Sequence, residues 1–220
     1  TDPWDSLTRF DVTLWAVAAD GAYLPKAGNF MIYPMYAAHN HQFLWFAAQM
    51  EGRSATAYGA ARDTAARLPV EMLRAMPGYD GWLAYPVWTL VRFGRWQGVL
   101  AEPLPPAEFA YAKAVTHVAR AIAQARLGNL EEAGRESAEA ERNFALLPAE
   151  SFQGFNPVTA LATIARISAR VSAATAATGS PTCITRPEAS EGRNGNARFP
   201  PLRPAIGGCS EMLPMPAASM

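Results

Sequence analysis

The stretch Leu127-Gly128-Asn129-Leu130-Glu131-Glu132-Ala133 decides how this chain is read. A glycine follows one apolar-periodic run and precedes another, and a small residue stands five positions after it. Glycine takes the positive φ that closes a helix, and the small residue lets the next helix lie close on the first. Behind the turn, Leu130, Ala133, Ala140, Phe144 and Leu147 share one stripe at helical spacing, which predicts a helix over 129–147 stopped by Pro148. Ahead of it, Val115, Val118, Ile122 and Ala125 form a matching stripe on a helix predicted to start near Ala107, after Pro105 and Pro106. Together they make a helical hairpin.

The same grammar occurs twice more, at Gly52-Arg53-Ser54-Ala55-Thr56-Ala57 and at Gly94-Arg95-Trp96-Gln97-Gly98-Val99, so that the turn glycines stand 42 and then 34 residues apart. Recurrence at such spacing marks a helical repeat. Helices over 40–51 and 54–67 flank Gly52, with Pro69 as the stop. A helix over 83–93 and a short second helix flank Gly94, with Pro103 as the stop. An extra helix over Val70–Met76 accounts for the longer first spacing. The expected fold class is all-α, a set of stacked antiparallel helical hairpins.

These turns resemble the tetratricopeptide repeat (TPR) family, whose 34-residue motif carries Gly at the turn, Ala five later and Pro near the end of the unit. The Gly128 unit with Ala133 and Ala140 matches well, the Gly52 unit with Ala57 and Pro69 fairly, and the Gly94 unit is degenerate; about residues 38–148 are covered. A narrower resemblance, to divergent bacterial TPR proteins, is carried by His39-Asn40 with Phe43-Leu44, by Arg92-Phe93-Gly94-Arg95-Trp96 and by His117-Val118-Ala119-Arg120. In that group a second His falls three positions after the first; here Gln42 stands there and His41 comes one residue early. The resemblance implies a short TPR-like α-solenoid with a concave surface that binds a peptide or protein partner.

Three regions are expected. Residues 1–37 hold one helix, about Leu7–Ala19, and a Gly- and Pro-bearing connector through Pro34, which cap the stack. Residues 38–179 hold the repeats, closing on a further first helix over Pro157–Ala177 with a turn glycine at Gly179. Residues 180–220 are rich in Pro, Gly, Ser and Arg with no helical periodicity, just where a second helix is due. A natural disordered tail and an out-of-frame end both fit. The second is favoured, because an array ending on an apolar first helix leaves an uncapped face, and the chain is therefore read as a fragment.

Composition narrows the partners. Half of the 220 residues are hydrophobic, enough for a substantial core, and 19 Lys and Arg balance 19 Asp and Glu. No basic footprint draws the chain to nucleic acid or an anionic membrane. The most apolar stretch, Phe43–Met50, is far shorter than the roughly 20 residues of a membrane span, and Arg166 and Arg170 interrupt the later Ala-rich segment. The chain starts at Thr1 with no basic region leading into an apolar run, so a soluble, cytoplasmic protein is expected. The two cysteines, Cys183 and Cys209, have no zinc-ligand spacing and fit a reducing compartment.

No Walker loop, Gly-x-Ser-x-Gly elbow, His-Glu-x-x-His or dinucleotide fingerprint occurs. All three histidines fall on predicted first helices. Lys113, His117, Arg120 and Gln124 follow one another at steps of four, three and four, a polar stripe able to receive a carboxylate or phosphate; the plain alternative is the wet face of an amphipathic helix. With His39 and Asn40 these four make the candidate ligand-binding set. His39, His41 and His117 would suit a zinc site only if they converge, and capping by Asn40 or His39 is the stronger reading of that segment, so no metal and no cofactor is assigned. Trp45, Phe46, Trp82, Tyr85, Trp88, Phe93 and Trp96 read mainly as packing, although a half-exposed Trp also anchors a peptide or sugar ring. The leading expectation is a scaffold for a peptide or protein partner, including one with an acidic group. The alternative is a metal-dependent or acid/base enzyme using His39 and His117, with Arg120 as an anion clamp.

Overall fold

The computed structural model describes residues 9–27, 33–76 and 78–178. Within them the chain is all-α. In order come α1 (Arg9–Ala27), α2 (Tyr33–Met50), α3 (Ser54–Ala66), α4 (Val70–Ala75), a 3-10 turn (Asp80–Ala84), α5 (Tyr85–Arg92), α6 (Trp96–Ala101), α7 (Ala110–Arg126) and α8 (Leu130–Phe144). A minimal antiparallel hairpin, β1 (Phe152–Gln153) and β2 (Asn156–Pro157), then leads into α9 (Val158–Thr178).

The three predicted turns are built alike. Gly52, Gly94 and Gly128 all take positive φ, at 74°, 66° and 84°. In each, the amide after the glycine donates back to the carbonyl five residues ahead of the glycine's successor: Arg53 to Ala48, Arg95 to Leu90 and Asn129 to Gln124, each at 2.9 Å. This is the Schellman closure, which satisfies carbonyls left over at a helix end. The residue five after each glycine then donates to the first residue past the glycine: Ala57 to Arg53, Val99 to Arg95 and Ala133 to Asn129. Those three side chains are buried. A methyl or isopropyl group at that point sets how closely the two helices of a hairpin pack.

Each hairpin also touches the next. α3 packs on α5, α6 and α5 on α7, and α8 and α7 on α9, while α1 packs on α2. α7 is the most enclosed element, with 11 of its 17 residues buried. Six of those are apolar residues of the main core cluster, joined there by Val87, Val99, Ala140, Phe144, Ala162 and Ala165 from the surrounding helices. Alanine makes this possible. Small side chains on a strong helix former let several helices approach one axis without voids.

Some boundaries moved. The first helix runs past Ala19 to Ala27, through Gly21 and Pro25. Buried Asp20 anchors it by accepting from the Tyr33 hydroxyl (2.9 Å) and the Asn40 amide (2.7 Å), so tertiary bonds override local breakers. α2 begins at Tyr33 rather than near residue 40, with Pro34 in its first turn, where a missing amide proton costs nothing. The expected division at 37/38 therefore falls inside a helix. The short hairpin at 152–157 was not expected, since two-residue strands carry no readable alternation. Gly179, both cysteines and the whole of 180–220 lie outside the described residues.

Candidate functional site

A groove of about 530 Å³ runs along helices that open hairpins, and six aromatic side chains stand in its walls beside aliphatic and uncharged polar ones. α2 contributes Gln42 and Trp45, the 3-10 turn Trp82, α5 Tyr85 and Trp88, and α7 Tyr111 and Val115. α9 adds Leu161, Ile164, Ala165 and Ser168, and the β-hairpin adds Gln153, Phe155 and Asn156. Among the described residues no Lys, Arg, Asp, Glu or His lines it.

The aromatic wall is held in place by hydrogen bonds beneath it. Trp45 and Tyr85 stack with centroids 4.1 Å apart and planes 11° from parallel, and Trp82 continues the series at 6.2 Å and 23°. Trp45 Nε1 donates to Thr89 Oγ1 at 2.7 Å, and that hydroxyl, fully buried, donates to the Tyr85 carbonyl. Gln42 Nε2 donates to the Tyr85 hydroxyl at 2.8 Å. Burial pushes the Tyr85 phenol up to about 12, so it remains a neutral donor at physiological pH.

The rim is fixed by Asp80. Its buried carboxylate accepts from the Ala112 amide near the α7 N-terminus (3.1 Å) and from Gln153 Nε2 (2.5 Å). Gln153 Oε1 in turn accepts from the Gly81 amide at 3.2 Å, and the Gly154 amide donates to the Gly78 carbonyl at 2.9 Å. The turn of the β-hairpin is thereby pinned to the groove edge, with the Phe155 ring 99% exposed at its tip. Tyr111, also raised to about 12, owes this first to burial and second to the nearby Asp80 charge.

No family model, curated protein or solved structure matches the chain.

The polar set named from sequence is not gathered in the groove. His39 is exposed on α2, edge-on to Phe43 at 4.5 Å, and Asn40 is bonded to Asp20. His117, expected on an open stripe, is buried, and its Nδ1 lies 2.6 Å from a Glu136 oxygen on α8. The Arg120 guanidinium donates to the Leu100 and Glu102 carbonyls at the end of α6 (3.3 and 3.0 Å) and stands 3.7 Å from Glu136. Gln124 accepts from the Asn129 side chain beside the turn. Lys113 is half-buried, and with His117 it helps hold down the Glu139 carboxyl, whose main restraint is the hydrogen bond from Arg142. The picture of a wet, outward stripe is corrected accordingly: α7 has neighbours on nearly every side, and this face meets α8 and α6.

His41, the third histidine, is buried against α3, with Nδ1 3.9 Å from Asp63 and no hydrogen bond to it. Burial is the main cause that lowers its pKa, and Arg67 adds to it against the opposing pull of Asp63 and Asp20. Neither His39 nor His117 lines the groove. Among the described residues no three His, Cys, Asp or Glu side chains group closely enough to hold a metal ion, and no helix is long and apolar enough to cross a membrane.

Gln42, Tyr111, Gln153 and Phe155 were missed as groove residues. A sequence signal existed for part of the wall: Trp45, Trp82, Tyr85 and Trp88 were named among the aromatics, and Tyr85 and Trp88, three apart on one helix, share a face.

Proposed function

We propose that the chain is a TPR-like helical scaffold that binds a peptide or protein partner along this aromatic groove. The observation that supports it is that α2, α5, α7 and α9, each placed first in its expected hairpin, contribute to a single groove with half-buried aromatic side chains. Half-exposed Trp and Tyr rings bring large contact area at little entropic cost, the property that makes such residues dominate binding surfaces. The acidic selectivity expected from Lys113, His117, Arg120 and Gln124 forms no part of this reading, since His117 and Arg120 are engaged with Glu136 and backbone carbonyls.

The test is selection of peptides from a random displayed library on the intact chain, with each hit remeasured by calorimetry as a synthetic peptide. Hits that bind one to one and lose about tenfold or more with Trp88→Ala, the scale of an aromatic anchor, support the groove. A selection that yields only sequences indifferent to Trp88→Ala and Trp82→Ala would refute it.

A further inference from the structure

The groove's chemistry says more about its ligand than that it is a peptide. We infer that it takes an uncharged, proline-rich segment in the extended polyproline II conformation, an inference that rests on the groove being a peptide site.

Three features carry this. The first is electrostatic: with no ionisable acid or base among the described residues of the lining apart from two phenols held neutral, a charged ligand segment would lose hydration and gain no partner there. The second is shape. Trp45 and Tyr85 cover one another's inner faces at 4.1 Å, but Trp82, Trp88 and Tyr111 line the groove as half-buried rings and Phe155 stands exposed beside them. Proline rings pack on flat aromatic faces, the mode by which polyproline helices are read in aromatic-lined grooves. An amphipathic helix needs instead a continuous aliphatic trough for side chains one and two turns apart.

The third is the balance of donors and acceptors. The amide of Gln153 is committed on both sides, to Asp80 and to the Gly81 amide, and Gln42 is tied to Tyr85. Trp45 gives its indole proton to Thr89, whereas the indole protons of Trp82 and Trp88 have no acceptor among the described residues. With the hydroxyl protons of Tyr85 and Tyr111 these make four donors, against which Gln42 Oε1 and Asn156 Oδ1 are the side-chain amide acceptors in the lining. A polyproline segment is the complementary ligand, because it offers carbonyl acceptors and no amide protons. An oligosaccharide also stacks on aromatic rings, but each of its hydroxyls needs both donor and acceptor, and this wall has few acceptors to give. Phe155, exposed at the rim, supplies a further ring at the mouth of the groove.

The experiment titrates the intact chain with three probes by calorimetry: an uncharged proline-rich dodecapeptide, an uncharged helix-forming peptide of equal length, and a neutral hexasaccharide. The expected result is one-to-one binding of the proline-rich peptide alone. Its affinity should change by no more than about twofold between 50 and 500 mM salt, because no charges meet. Phe155→Ala, whose ring makes no packing to lose, should weaken it by about tenfold with unchanged circular dichroism, and Trp88→Phe should weaken it as well. Binding of the helical peptide or the saccharide in its place overturns the inference, as does no binding of the proline-rich peptide. If displayed-library hits then depend on Trp88 but lack proline, the peptide groove stands and only its polyproline character falls.

Discussion

His117 Nδ1 and a Glu136 carboxylate oxygen lie 2.6 Å apart, joining α7 to α8 across the Gly128 turn. Glu136 is also 3.7 Å from Arg120, so one carboxylate serves two basic side chains that are largely out of solvent. Glu136→Gln keeps the shape and removes the charge. It should cost about 1–3 kcal/mol, because a charge-assisted bond is lost and its partners stay buried. Urea denaturation would show it as a lower midpoint at unchanged slope. A cost indistinguishable from zero would mean that water enters this face.

The turn glycines and Gly78 should separate two kinds of strain. A methyl group at Gly52 or Gly128 meets nothing within 4 Å, so Gly52→Ala and Gly128→Ala should each cost only the left-handed backbone, about 1–2 kcal/mol. At Gly78, φ is +96° and the new carbon would lie 2.6 Å from the Phe152 carbonyl oxygen. Gly78→Ala should therefore cost about 1–3 kcal/mol more, read as a further drop in thermal midpoint, and it should shift the β-hairpin at the groove rim.

His41 should make the fold acid-sensitive. Its pKa is lowered in the folded state, chiefly by burial, with Arg67 adding to the effect. Between that lowered value and the ordinary value near 6.5, the unfolded chain binds more protons than the folded one, so stability falls as pH falls through this window. Asp63 and Asp20 face the ring and reduce the effect without reversing it. His41→Leu should flatten the dependence of urea midpoint on pH below about 6.5. An unchanged slope would assign the sensitivity to other groups.

Asp80→Asn should act at two places at once. Losing the charged acceptor of the Ala112 amide near the α7 N-terminus should cost about 1–2 kcal/mol. Removing the charge should also move the Tyr111 phenol down from about 12, leaving the larger effect of burial in place. Ultraviolet titration of wild type and variant would reveal the shift, with Tyr111→Phe identifying the transition.

The turns were legible because they obey a local rule. A glycine forced to positive φ, with Ala57, Val99 or Ala133 five residues on, is visible without knowing what surrounds it. The apolar stripe of Val115, Val118, Ile122 and Ala125 was legible for the same reason, and all four are buried. His117 and Arg120 were misplaced because helical periodicity assumes one dry face and one wet one, and α7 is enclosed by several elements. Glu136, the residue that makes burial of His117 tolerable, sits 19 positions away on the next helix and has no sequence signature. The aromatics Trp45, Trp82, Tyr85 and Trp88 were visible as residues, but only tertiary structure shows that they share one wall with Tyr111 and Phe155.

The enclosure of α7 also sets where this chain is free to drift. A substitution on a helix touched by α5, α6, α8 and α9 must satisfy several partners together, whereas the outer faces of α3 and α8 answer mostly to solvent. Divergence should therefore erase the peripheral helices first and leave an alanine-rich α7 as the lasting signature of descent. A search for distant kin is best weighted toward 110–126 and the turn that follows it, not toward the chain as a whole.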